Sequence, residues 1–320
     1  MNLKRKGLGV HEPPRVPWLA NWMFTSARRL LAFALGAGVL TLQPSVHLSA
    51  ADGSGQSSHR ATLKTASAGV PDIPFVEYEF QIEQDLLQLA NQSRQRAGAP
   101  TLTLDSGLTA AARAHAQAML EAHQLSHQFA NEPTLMVRLA ATSSLQLDQA
   151  AENVALDYSA QGGHEHLMLS PPHRANLLNS AYNVVGLGVV RSGDRLYIVQ
   201  DFAHSLPAFS ATQVKDRVAT AVNQLRSRST RPPLPRHDLR SADEAACSMA
   251  QADKLGTSPV RQLAHRYTVL TYTTLHPEDL PARSFYAIDS PNLRNFSVGA
   301  CYARTNTYPS GVYWVILSLN

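Results

Sequence analysis

Two β-rich runs just past the middle of the chain constrain its fold most. Val184 to Val190 (VVGLGVV) and Leu196 to Phe202 (LYIVQDF) flank the turn Ser192-Gly193-Asp194. That is the pattern of a β-hairpin. Helical patterns precede it. Glu83 to Arg96 carries Leu86, Leu87, Leu89 and Ala90 and stops at Gly98-Ala99-Pro100. Leu108 to His123 is alanine-rich, with Leu108, Ala112, His115 and Met119 on one face. Glu165 to Leu169 predicts a short helix, and Ser170-Pro171 predicts the capped start of another, because proline lacks only an N–H that has no partner there. Helices first and a hairpin last imply an α+β fold arranged as a sandwich.

The chain of 320 residues has room for two domains. Its basic balance comes from the leader: residues 1–50 hold six Lys or Arg against Glu12 alone, a net of +5 out of a whole-chain +4. Arg28-Arg29 precede an uncharged run, Leu30 to Leu42, followed by small residues Ser49-Ala50-Ala51. About 13 apolar residues make a helix of about 20 Å, short of a membrane core of about 30 Å. Residues 1–51 are therefore expected to be a signal peptide, with an uncleaved anchor as the alternative and the sole route to membrane contact. Residues 52–76, rich in Ser, Gly, Ala and Thr, are expected to be a flexible linker. Secretion, or residence in the periplasm or another extracytoplasmic space, follows.

Residues 212–320 echo residues 77–207. Asn223-Gln224-Leu225-Arg226 resembles Asn91-Gln92-Ser93-Arg94, Ala245 to Ala252 resembles Ala111 to Ala118, and Val298 to Tyr302 with Val312 to Ile316 resembles the hairpin. The order of the three matches suggests a degenerate repeat, against the alternative of an unrelated small α+β domain. Under this alignment Cys247 lies on a helix and Cys301 on the strand packed beneath it. A disulfide between these two, the only cysteines, is the expectation, with two buried thiols as the alternative. The halves differ in charge: residues 51–210 net −6 and residues 211–320 net +5. The basic stretch from Arg226 to Arg240 lacks interleaved aromatics, which argues against a nucleic-acid partner.

Candidate chemistry lies in the first module, residues 77–207. His127, Glu152, Glu165 and His173 each stand where one predicted element gives way to another. Two imidazoles can bind a divalent ion, and carboxylates can orient them or hold water. His115 reads as core or helix surface. The run Asn91-x-x-Arg94, the alanine-rich helix, Ser126-His127, Glu152-Asn153-Val154, Ser170-Pro171-Pro172-His173-Arg174-Ala175-Asn176-Leu177-Leu178 and Val185-Gly186-Leu187-Gly188-Val189 resembles bacterial members of the CAP superfamily: the cysteine-rich secretory proteins, antigen 5 and pathogenesis-related proteins. The resemblance implies a three-layer α-β-α sandwich with a cleft built on two histidines and two glutamates.

His127, Glu152 and His173 fall on the family's motifs. Glu165 is placed by order and spacing, since His164-Glu165-His166-Leu167-Met168 stands where the family usually has a nearby tryptophan. The resemblance also implies extracellular roles, including lipid or sterol binding, with no shared reaction. Neither a G-x-S-x-G nucleophile motif nor an H-E-x-x-H zinc helix occurs. The expected function is thus a binding module that takes a divalent metal, zinc foremost, through His127 and His173, and a ligand such as a lipid or envelope component. Its alternatives are a metal-dependent hydrolase or protease, and a structural envelope protein with a vestigial cleft.

Overall fold

A computed structural model describes residues 78–320. The expected signal peptide and the whole of the expected linker lie outside the described residues.

The first module runs α1 (Phe80–Arg96), β1 (Thr103–Leu104), α2 (Ser106–Ala122), α3 (Leu135–Thr142), β2 (Gln146–Asp157), α4 (Ala160–Leu169), α5 (Pro171–Leu178), β3 (Val184–Ser192) and β4 (Arg195–Leu206). Its sheet has the order β1-β3-β4-β2. The expected hairpin is β3–β4, paired from Val184↔Ala203 to Ser192↔Arg195.

Strand alternation divides the core into two layers. Val185, Leu187 and Val189 of β3, with Leu196, Ile198 and Phe202 of β4, pack against Leu86 and Ala90 of α1, Leu167 of α4 and Leu177 of α5. On the opposite face Val190, Tyr197 and Val199 meet Ala112, Ala116 and Met119 of α2. Three layers result, α1/α4/α5 over the sheet over α2/α3, as the α-β-α expectation requires. Gly186 and Gly188 lie beneath α2, where a Cβ on either would run into the backbone of Leu108 or Ala112. Their lack of side chains lets α2 sit close on β3.

Caps set the helix ends. The Asp105 carboxylate accepts from Leu108 N–H at 2.8 Å at the start of α2, and Ser159 caps α4 in the same way. Ser170 occupies the cap position of α5, but its hydroxyl makes no capping bond; Pro171 and Pro172 open that helix instead.

The second module runs α6 (Ala211–Arg228), α7 (Arg240–Ala252), α8 (Ser258–Ala264), β5 (Thr268–Thr274), a 3-10 turn (Ala282–Ser284), α9 (Phe285–Ile288), β6 (Phe296–Ala303) and β7 (Val312–Leu319). Its sheet order is β5-β7-β6. Cys247 on α7 and Cys301 on β6 form the expected disulfide.

Matching contacts recur in the two modules. The Asn91 amide makes a two-way pair with the Leu102 backbone, and Asn223 does the same with Leu234, eleven residues on in each case. Buried Arg94 donates to the carbonyls of Pro100, Leu177, Asn179 and Tyr182. Buried Arg226 donates to those of Pro232, Ile288 and Ser290. Gly299 lies under Ala242 of α7 as Gly186 lies under Leu108 of α2. Among the described residues, no helix is long and apolar enough to cross a membrane.

Candidate functional site

The site gathers on the α2 side of the sheet, near the β2 edge. Glu152 shares its strand face with Val154, and β4 sets Asp201 directly opposite it. The segment after α2 brings in His127. The His127 Nδ1 lies 2.9 Å from Glu152 Oε1. The two side chains differ sharply in access: His127 is 57% exposed and Glu152 only 4%.

Behind Glu152 stands a ladder of charge. Arg138, on α3, donates through Nη2 to Glu152 Oε2 at 2.6 Å and through Nη1 to Glu132 Oε1. His115, wholly buried on α2, places Nδ1 2.6 Å from Glu132 Oε1 and Nε2 2.8 Å from the Ser126 carbonyl. Burial raises the Glu132 carboxyl, but the bonds from Arg138, His115 and the Phe129 amide outweigh it and hold the group below its ordinary range. Asp201 is the opposite case. Burial, and then the neighbouring Glu152 charge, push it well above the usual carboxylate range. Among the described residues neither of its oxygens has a hydrogen-bond partner.

His173 enters from α5. Its ring centroid lies 6.3 Å from that of His127. Burial lowers its proton affinity, and the adjacent His127 lowers it further. The Asn153 amide donates to the His173 carbonyl at 3.1 Å, and the Asn176 amide donates to Asn153 Oδ1 at 3.0 Å. These two asparagines fasten α5 to β2 and keep the imidazoles together.

Residues 87–202 match the family model described as the cysteine-rich secretory protein family, CAP. This segment is a CAP domain. An uncharacterized membrane protein of Bacillus subtilis (strain 168), YlbC, is 31% identical over 134 residues, covering 42% of this chain and 37% of that protein. The uncharacterized protein YkwD of the same organism is 31% identical over 117 residues, covering 35% and 43%. The chain thus spans less than half the length of these curated relatives. Among solved structures, an extracellular protein containing an SCP domain from Bacillus anthracis str. Ames is 27% identical, with a TM-score of 0.35 over 39% of this chain and 41% of that one. The structure of Na-ASP-1 is 11% identical, with a TM-score of 0.40 over 80% and 91%.

Within the CAP domain, three of the four expected cleft residues come together: His127, Glu152 and His173. Glu165 is exposed on α4 and accepts a hydrogen bond from Gln161. Among the described residues no hydrogen bond or ion pair joins it to the other three. Its neighbours point apart, as residues two apart on a helix must. His164 is buried with Nε2 2.8 Å from Ser93 Oγ, and His166 pairs with Asp157 at 2.6 Å. The Ser93–His164 contact resembles a nucleophile and base, but both side chains are buried out of a substrate's reach.

No group of three or more His, Cys, Asp or Glu side chains among the described residues is placed to hold a metal ion. The His127 and His173 rings are two imidazole donors whose centroids lie 6.3 Å apart. A neutral His173 keeps a lone pair free. A carboxylate at His127 Nδ1 fixes that ring as an outer-shell partner does, leaving Nε2 as the donor. The hidden members of the site are Arg138, Glu132 and Asp201, and His115 belongs with them as part of the ion network.

Proposed function

We propose that the chain is an exported binding protein whose CAP domain presents His127 and His173 as a cation-coordinating face for a ligand outside the cytoplasm. One observation carries this reading: an exposed imidazole held by a buried ladder of ions. Burying ions costs several kcal/mol each, so such a ladder is a poor device for stability alone. The second module supports the same point.

Strand register places Thr271 opposite Ile316 and Ile316 opposite Gly299, as Glu152 stands opposite Asp201 and Asp201 opposite Gly186. Helix packing pairs Met249 with His115, and the Arg94 and Arg226 acceptors pair Ser284 with His173. A comparable scaffold therefore stands without the charged residues, so their presence in the first module answers to something other than folding. We read the second module as a degenerate copy.

Binding fits the site better than hydrolysis. Among the described residues no hydroxyl or thiol is hydrogen-bonded to His127 or His173, so no serine- or cysteine-type nucleophile is activated beside them. The Cys247–Cys301 disulfide suits an oxidising compartment, consistent with export. A lipid or envelope component is the ligand class proposed beside the metal.

Calorimetric titration with zinc tests the reading. The wild-type protein is expected to release heat that His127→Ala/His173→Ala loses. Glu152→Gln should weaken binding by about 10- to 100-fold through the lost outer-shell bond. Equal heats from wild type and the double variant would refute the metal face.

A further inference from the structure

The loop between β6 and β7 of the second module reaches α3 and the start of β2 in the first. Between β6 and β7, Arg304 extends to α3 and donates to the Ala140 carbonyl at 2.7 Å and the Leu145 carbonyl at 2.9 Å. Six residues on, buried Ser310 accepts from the Leu147 N–H at 2.6 Å. Each acceptor or donor is one the first module leaves open. Ala140 lies in the last turn of α3, where carbonyls lack partners within the helix and a cation is favoured. Leu147 lies on β2, an edge strand whose outer N–H groups have no neighbour in their own sheet. A register shift between Leu147 and Gln149 marks the same spot.

The two elements held in this way are those that hold Glu152. Arg138, two residues before Ala140 on α3, grips the Glu152 carboxylate, and β2 carries Glu152 itself. Thr142 closes the helix end onto the Arg138 carbonyl, so the last turn of α3 moves with the residues Arg304 touches. We propose that Arg304 and Ser310 are positioning residues: through α3 and β2 they set the Arg138–Glu152–His127 chain, and the second module is retained as a brace for the cleft of the first. The inference deepens the binding reading and rests on it only for the purpose of the cleft; the brace itself is a matter of geometry.

Nitrogen NMR of the imidazoles, with amide hydrogen exchange, reads this without any ligand. In wild type the His127 Nδ1 resonance should carry the signature of a ring bonded to a carboxylate. Arg304→Ala and Ser310→Ala should each shift that resonance toward a free imidazole and speed exchange at Glu152 to Val154 by about tenfold or more. Arg304→Lys, which can still reach one carbonyl, should restore part of the effect. Arg261→Ala is the charge control, because among the described residues the Arg261 guanidinium bonds to Gly256 and Ser258 of its own module; it should leave His127 unchanged. If Arg304→Ala is poorly folded, Ser310→Ala and Arg304→Lys carry the test. A lower melting point with unmoved His127 signals in these variants would overturn the brace. Zinc titration of the same proteins separates the two readings: no heat in wild type defeats the metal face, while the NMR still decides the brace.

Discussion

At the scale of single residues, Asp201 and its neighbours separate what the sequence discloses from what only folding assembles. His127, Glu152 and His173 stand in short distinctive motifs, so their types and order are readable. Arg138 and Glu132 are single charges in unremarkable surroundings, and only the approach of α3 to β2 gives them partners. Asp201 is a middle case. It shares the alternation of Tyr197, Val199 and Ala203, so an acid sits on an apolar strand face, a local conflict that marks function or strain. Its raised proton affinity has a direct consequence. The unfolded aspartate titrates near pH 4, and the folded one well above it. The folded state therefore binds the extra proton, and stability falls as pH rises from about 4 through the elevated value. Asp201→Asn mimics the neutral acid and can donate to Glu152. Its melting temperature should match wild type near pH 4 and exceed it by a few degrees at pH 7, in scans at stepped pH. A constant difference across that range would refute a neutral Asp201.

Elements follow a similar division. The hairpin and α2 are legible because periodicity and turn chemistry agree. Helix α3 is not: eight residues, LMVRLAAT, give too few turns for a pattern. Strand β2, QLDQAAENVALD, contains Val154 as its only β-branched residue, so propensity speaks against it. Pairing decides instead, since β4 offers partners from Gln146↔Leu206 to Asp157↔Leu196. Gly186 and Gly188 suggest close backbone approach in the sequence, but what approaches, helix α2, appears only in the packing. Gly188→Ala would force a methyl into the backbone of Ala112 and Arg113, which cannot rotate aside. Urea denaturation should show a loss of about 1–3 kcal/mol, as overpacking costs in tight cores. Gly193→Ala meets no atom within 4 Å, and its cost should come from its turn conformation alone. Equal stability of Gly188→Ala and wild type would mean that α2 can lift off β3 freely.

On the scale of the whole molecule, the unequal modules assign different work to similar scaffolds. The first spends burial on ions and leaves His127 exposed. The second buries Met249 and Ile316 at the matching places and adds a covalent tie, Cys247–Cys301, from α7 to β6. That tie spans 54 residues, and closing a loop of this size stabilises by about 4 kcal/mol on the chain-entropy account. A brace benefits from such a tie, because Arg304 follows Cys301 by three residues and inherits the rigidity of β6. Trp314, buried on β7 against Tyr308, is the sole tryptophan of residues 69–320 and so reports the second module alone. In urea, reduction of residues 69–320 should move the Trp314 fluorescence transition to lower denaturant by roughly that free energy. Far-ultraviolet circular dichroism should then follow in two steps, with the CAP domain unfolding later. A Trp314 transition unmoved by reduction would show that packing of α7 on β6, and not the cross-link, holds the brace together.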